Sequence, residues 1–340
     1  MKLTFSRVRM IAACSALALV AAMAPKAARA QSLSADTISL FPKDVGEFAY
    51  ADLKKARTLP WFPALQQQML PERFRQFEKF LASAGVDPAS QVDELAWGLV
   101  AESMSKGQNG AAGVPNGENV VGIAIGNFNP SSTEAYFKQQ KVANVEVGGF
   151  KLYAFGTGAG ANDLFIFFID SNKAAFGHRA QLERVIQVRT GVEDSLLRSD
   201  KMYNLINEVN GSGVIWAVLD PAYTRLAMAQ LAPEVQQFPE AAKLIQNMQS
   251  MLISASVSSG IEGKFQAICG STQDANTLGQ LLSAGLLYKK YQAQKENPEF
   301  GQLLDQTSVT PSGDRIVIRM SLTDETMTSL IKKNTFALKM

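Results

Sequence analysis

Gly213-Val214-Ile215-Trp216-Ala217-Val218-Leu219-Asp220-Pro221 is an apolar run that ends in an acid and a proline. Seven uncharged residues rich in β-branched and aromatic side chains read as a buried strand. Aspartate followed by proline is a helix opening: the carboxylate caps free backbone N–H groups, and proline fits the first helical turn. A strand that feeds a helix at residue 221 restarts, two thirds of the way along the chain, an order of elements already run through once.

Before this stretch, a β-like run at 46–53 is followed by helical patterns at 61–69 and 71–84. In the second helix Phe74, Phe77, Phe80 and Leu81 fall three and four apart, a buried stripe on one face. Asp87-Pro88 opens a short turn, strands are predicted at 94–103 and 119–127, and Asn129-Pro130 caps a helix to about 140. Strands at 145–155, 163–170 and 173–177 then precede a helix at 179–189 that Gly191 closes. After it, helical segments run to about 250, with strands at 251–259 and 261–270 and a long helix from Asp274 to Gln294. A helical piece beyond Pro298, strands at 307–311 and 315–322 and a helix capped by Thr323 complete the chain.

The expected fold is α+β, two similar halves with antiparallel sheets covered by helices, in the manner of an internal duplication. The expected divisions are 1–30 as a signal peptide, 31–44 as a polar leader, 45–211 as the first unit and 212–340 as the second. Local echoes support two halves: Tyr50-Ala51-Asp52-Leu53 stands where Trp216-Ala217-Val218-Leu219 stands, and Ala124-Ile125-Gly126 matches Ala267-Ile268-Cys269-Gly270. They differ most at 103–118, a Gly-, Asn- and Ser-rich connection too polar to pack and expected to be disordered.

The first thirty residues carry an address. Lys2, Arg7 and Arg9 precede an uncharged apolar stretch from Met10 to about Ala24, and Ala28-Arg29-Ala30 supplies small residues before Gln31. This is the layout of a cleavable secretory signal, with an apolar stretch too short to span a bilayer. Ile11-Ala12-Ala13-Cys14 resembles an acylation box, but the apolar segment follows the cysteine instead of preceding it. Cleavage after Ala30 removes five of the 33 bases and none of the 31 acids, so the mature chain has a net charge of −3. A mildly acidic chain without basic clusters offers nucleic acid no electrostatic footprint. One histidine, His178, and one cysteine in the mature chain, Cys269, leave no intramolecular disulfide and disfavour a metal centre.

Each candidate for chemistry is weaker than its structural reading. Gly156-Thr157-Gly158-Ala159-Gly160 is followed by an apolar strand at 164–169, whereas phosphate binding needs a helix there. Ser103-Met104-Ser105-Lys106 and Arg189-Thr190-Gly191 echo the spacings of penicillin-binding enzymes in the wrong secondary structure. His178 reads as a capping or solvated residue and Cys269 as a buried thiol. Asp52 and Asp220 hold similar places in the two halves, where a carboxylate pair for acid–base work competes with helix capping. The stripe Leu278, Leu281, Leu282, Gly285, Leu286 and Tyr288 is expected to cover a sheet, with a lipid-binding face as the alternative. No residue is assigned a catalytic, cofactor-binding or metal-binding role, and no cofactor is expected.

Leu40-Phe41-Pro42-Lys43-Asp44-Val45, the Ala49–Leu53 strand, Ala84-Gly85-Val86-Asp87-Pro88 and the 122–128 strand, behind a signal peptide, resemble exported bacterial proteins classed as domains of unknown function. The resemblance implies a bacterial envelope context, periplasmic or secreted, and assigns no catalytic residue. The expected function is non-enzymatic: a binding, chaperone-like or structural envelope protein, with an envelope protein or a small apolar ligand as partner. A carboxylate-dependent enzyme is the alternative. A deep polar cleft with convergent carboxylates marks the enzyme, and a broad apolar groove or exposed patch marks binding.

Overall fold

The computed structural model describes residues 32–70, 72–100, 120–160, 163–231, 239–257, 260–296 and 298–333. Residues 1–30, expected as a signal peptide, and the 103–118 connection lie outside them. The chain divides into two compact units, each a set of antiparallel strands with helices against it.

The first unit comprises Ser32–Lys54 and Leu70–Asn204. Its strands are β1 (Val45–Asp52), β2 (Val92–Val100), β3 (Val120–Gly126), β4 (Asn144–Val147), β5 (Phe150–Phe155), β6 (Leu164–Phe168) and β7 (Lys173–His178), in the order β1-β2-β3-β7-β6-β5-β4. The run expected as one strand at 145–155 is two. Gly148 and Gly149 both have positive φ, 55° and 83°, which is what a two-residue hairpin turn between right-twisted strands requires.

Its helices are α1 (Ala35–Ile38), α4 (Glu72–Ser83), α5 (Pro88–Gln91), α6 (Pro130–Gln139) and α7 (Arg179–Arg189); α2 (Leu53–Ala56) and α3 (Phe62–Met69) come between the first two in the chain. Asp87 accepts from Ala89 N–H and Asn129 from Ser132 N–H, so both proline-led helices start at the expected caps. The α4 stripe is buried as its spacing predicts: Phe77 and Leu81 join Phe137, Tyr153, Leu164 and Ile166 in one apolar cluster, with Phe74 and Phe80 packed against it. Phe80 stacks on Phe137 with ring centroids 5.2 Å apart.

The segment expected as a polar leader is core. Leu33, Ile38, Leu40 and Phe41 are buried, and Phe41 meets Phe48 edge-on at 4.8 Å. Backbone bonds tie it down, Leu196 N–H to Phe41 C=O and Lys43 N–H to Asp194 C=O, and Arg184 bridges Asp44 and Glu193. The partners of the leader lie about 150 residues away in the chain, at 184–196, which is why its own polar pattern misleads.

The second unit comprises Lys55–Met69 and Leu205–Met340. The boundary therefore differs from the expected 211/212, and 55–69 belongs with the later residues. Its strands are β8 (Ile215–Leu219), β9 (Ser250–Val257), β10 (Ile261–Ile268), β11 (Thr307–Ser312) and β12 (Arg315–Leu322), ordered β11-β12-β10-β9-β8. α8 (Asp200–Val209), absent from the sequence expectation, carries the chain into it. The remaining helices are α9 (Pro221–Leu231), α10 (Pro239–Gln246), α11 (Thr272–Glu296), α12 (Pro298–Asp305) and α13 (Asp324–Lys332). Trp61 Nε1 donates to Asp324 Oδ1 at 2.8 Å and Gln68 Nε2 to the Ile331 carbonyl at 2.5 Å, which fixes α3 and the turn before it to α13.

Candidate functional site

The glycine loop answers the phosphate question with its own chemistry. Gly158 N–H and Gly160 N–H donate to Asp163 Oδ2 at 2.7 and 3.0 Å, and the Thr157 hydroxyl reaches the same oxygen. A Cβ on Gly156 would lie 2.0 Å from Asp163 Oδ1. The converging N–H groups that make such loops bind anions are thus occupied by an internal carboxylate, between two strands. His178 stands at the N-cap of α7 without capping it; its Nδ1 lies 3.1 Å from the Asp163 carbonyl. A carbonyl only accepts, so Nδ1 carries the hydrogen and the ring braces the loop. Removing the Asp163 carboxylate leaves these donors short of an acceptor, and Asp163→Ala is expected to cost about 1–3 kcal/mol. Thermal unfolding measures it; a loss below about 0.5 kcal/mol, the range of ordinary surface changes, contradicts this role for the carboxylate.

The carboxylates of the enzyme alternative have local partners. Asp220 Oδ1 accepts from Tyr223 N–H at 2.9 Å, so it caps α9. Asp52 stands directly opposite Glu94 across the β1–β2 ladder, a pairing that depends on strand register and is not readable from either residue's neighbours. Tyr50, two residues from Asp52 and therefore on the same face, has its phenol pKa pushed far up by burial and by the charges of Glu94 and Asp52. A phenol so placed keeps its proton. Asp52 is 4% exposed and Tyr50 0%, which gives a substrate no surface to approach.

Thr190 of the Arg189-Thr190-Gly191 echo ends α7, its hydroxyl donating to the Ile186 carbonyl, while Ser103 and Lys106 lie outside the described residues. Cys269 is buried just beyond β10, its thiol pKa pushed up to about 11 by burial first and then by Asp274 and Asp314. At pH 8 about 0.1% of such a thiol is thiolate, the reactive form. The Cys269 peptide is therefore expected to stay unlabelled by a thiol reagent in native buffer and to label fully in denaturant. Complete labelling of the native protein within minutes is the contrary result.

In the second unit a cleft of ≈ 420 Å³ is lined by Ile261 and Leu322, both buried, with Glu262 and Asp305, both exposed. The outward side of α11 is the more distinctive surface. Among the described residues five large hydrophobic side chains are exposed: Val192 at 77%, and Leu281, Leu287, Tyr288 and Tyr291 at 43, 67, 61 and 60%. Four of the five thus lie on three turns of one helix. The stripe expected to cover a sheet is divided. Leu278 is buried and Leu282 and Leu286 are half-buried, on the side that meets β11, β12 and α12, whereas Leu281, Gly285 and Tyr288 face outward. Leu287 and Tyr291 join the outward side, and the sequence reading missed both. A helix apolar on two faces needs cover on both. The tyrosine hydroxyls meet polar neighbours one turn on, Gln292 Nε2 at 2.9 Å from Tyr288 and Lys295 Nζ at 2.7 Å from Tyr291. Among the described residues no helix is long and apolar enough to cross a membrane.

No protein-family model matches the chain, and no curated protein matches it. Among solved structures it is similar to two crystal forms of TP0453. Form I has a TM-score of 0.46 and 10% identity over 88% of this chain and 97% of that one. Form IV has a TM-score of 0.42 and 9% identity over 86% and 95%. Likeness at this level says nothing of ligand or activity.

Proposed function

We propose that this is an exported, non-enzymatic binding protein of the bacterial envelope, whose docking face is the outward stripe of α11. The observation that carries the reading is the gathering on that helix of four of the five large hydrophobic side chains exposed among the described residues. Soluble proteins scatter such residues singly, and a contiguous patch marks an interaction site. The composition suits an interface: Leu281, Ala284, Leu287, Tyr288 and Tyr291 make its centre, and Thr277, Gln280 and Gln294 are its uncharged neighbours. The layout of residues 1–30 supports export, and the resemblance to exported bacterial proteins supports the envelope context. The enclosure of Asp52 and the capping role of Asp220 weigh against the carboxylate enzyme.

The two units also share a strand order. Reading β1-β2-β3-β7-β6 beside β8-β9-β10-β12-β11, each has a lone strand, a hairpin after helices, and a second hairpin that returns to the first, with β4 and β5 added in the first unit. We read this as the trace of a duplication.

Side chains this exposed contribute little to folding, so Leu287→Asp together with Tyr291→Asp is expected to leave stability within about 0.5 kcal/mol. The same pair of changes is expected to abolish capture of components from native envelope extract, followed by native mass spectrometry. A capture pattern identical to that of the parent protein overturns the docking face.

A further inference from the structure

One seam of α11 sets unlike residues at matched distances on either side of a midpoint. Asp274, which is half-buried, and Leu281, Tyr288 and Lys295, which are exposed, follow one another at seven-residue spacing. Residues seven apart on a helix fall within about 20° of one another, so the four form one seam. Its midpoint is the Ala284–Gly285 pair. Both residues are exposed, and nothing lies within 4 Å of where a Gly285 Cβ would stand. Leu281 and Tyr288 are equidistant from that midpoint, as are Asp274 and Lys295.

We propose that the occupant of this face is a second copy of the chain, the two α11 helices packing antiparallel about a two-fold axis at Ala284–Gly285. This rests on the stripe being a docking face and names what docks. The two-fold sets Leu281 of each copy against Tyr288 of the other and Asp274 against Lys295, while two small residues at the crossing let the backbones approach. A self-complementary patch is the requirement of such an interface.

Charge and area both favour this occupant. Between Asp274 and Lys295 the seam carries no charge, so no like charges meet across the axis, and the two that end it are opposite in sign. Leu281, Leu287, Tyr288 and Tyr291 expose on the order of 500 Å² together. Two copies then bury roughly 1,000 Å², the lower bound for a specific interface. Tyr291 and Leu287 flank the seam, where a crossing partner helix covers them.

Sedimentation velocity on the full chain as recovered from expressing cells, from about 1 to about 100 µM, tests the proposal. A shift with concentration from the mass of one chain to that of two is expected. Tyr288→Asp is expected to weaken association about 100-fold or more, with the circular dichroism spectrum unchanged. Lys295→Asp and Asp274→Lys are each expected to weaken it by up to about tenfold, and the two together to restore most of the loss, because the pair is re-formed with its signs exchanged. A monomer throughout the range, a dimer indifferent to Tyr288→Asp, or charge reversals whose losses simply add overturns the proposal. A monomer whose capture of another envelope component is still lost with Leu287→Asp and Tyr291→Asp overturns only the second copy as occupant. Capture indifferent to those two changes overturns the docking face beneath it.

Discussion

Replacing Phe41 with alanine is expected to lower the unfolding free energy by about 3–5 kcal/mol, the cost of emptying a filled aromatic site. The ring is wholly buried, lies edge-on to Phe48, and comes within 3.2 Å of where a Cβ on Gly98 would stand. Its carbonyl accepts from Leu196 N–H, which locks the early segment to the chain after α7. Collapse into the vacated space is therefore limited. Urea denaturation gives the number, and an unchanged dependence on denaturant shows that the folded state itself is preserved. A loss below about 1 kcal/mol means that residues 33–44 are a dispensable leader after all.

A loss of similar size, about 3–5 kcal/mol, is expected for Trp216→Ala in the second unit. Trp216 is the largest fully buried side chain among the described residues and is the second residue of β8, opposite Ser254 of β9. Every other residue of β8 is buried too, so both faces of the strand are covered. Conversion to phenylalanine keeps most of the volume and is expected to recover more than half of the loss. Equal losses for alanine and phenylalanine would point to the indole N–H, not to packing, as the source of stability.

Local devices were legible in the sequence; devices that depend on distant partners were not. Asp87, Asn129, Asp220 and Thr323 all cap the helices they precede, because a cap needs only a side chain and the next few N–H groups. The buried face of α4 was readable from the spacing of four residues. The burial of Leu33 to Phe41 was not, since its cause lies in residues 184–196. α8 carried a signal that went unread: Met202, Ile206 and Val209 stand four and three apart and are all buried. In the glycine loop the strand that follows was legible, but the filling carboxylate, Asp163, was not picked out although it stands only three residues from Gly160. α11 shows a limit of periodicity itself. With apolar residues on two sides, no single stripe dominates, and only the sheet underneath decides which leucines are covered.

The proposed docking face is tested most directly by photo-crosslinking in living cells. A photoreactive phenylalanine analogue is placed at Leu287 or Tyr291, with exposed Lys151 and Asp170 as control positions. Discrete adducts are expected from 287 and 291 and none from 151 and 170, and an adduct with twice the mass of the chain identifies the second copy. Absence of adducts from α11, or the same adducts from all four positions, would contradict a docking role for this helix.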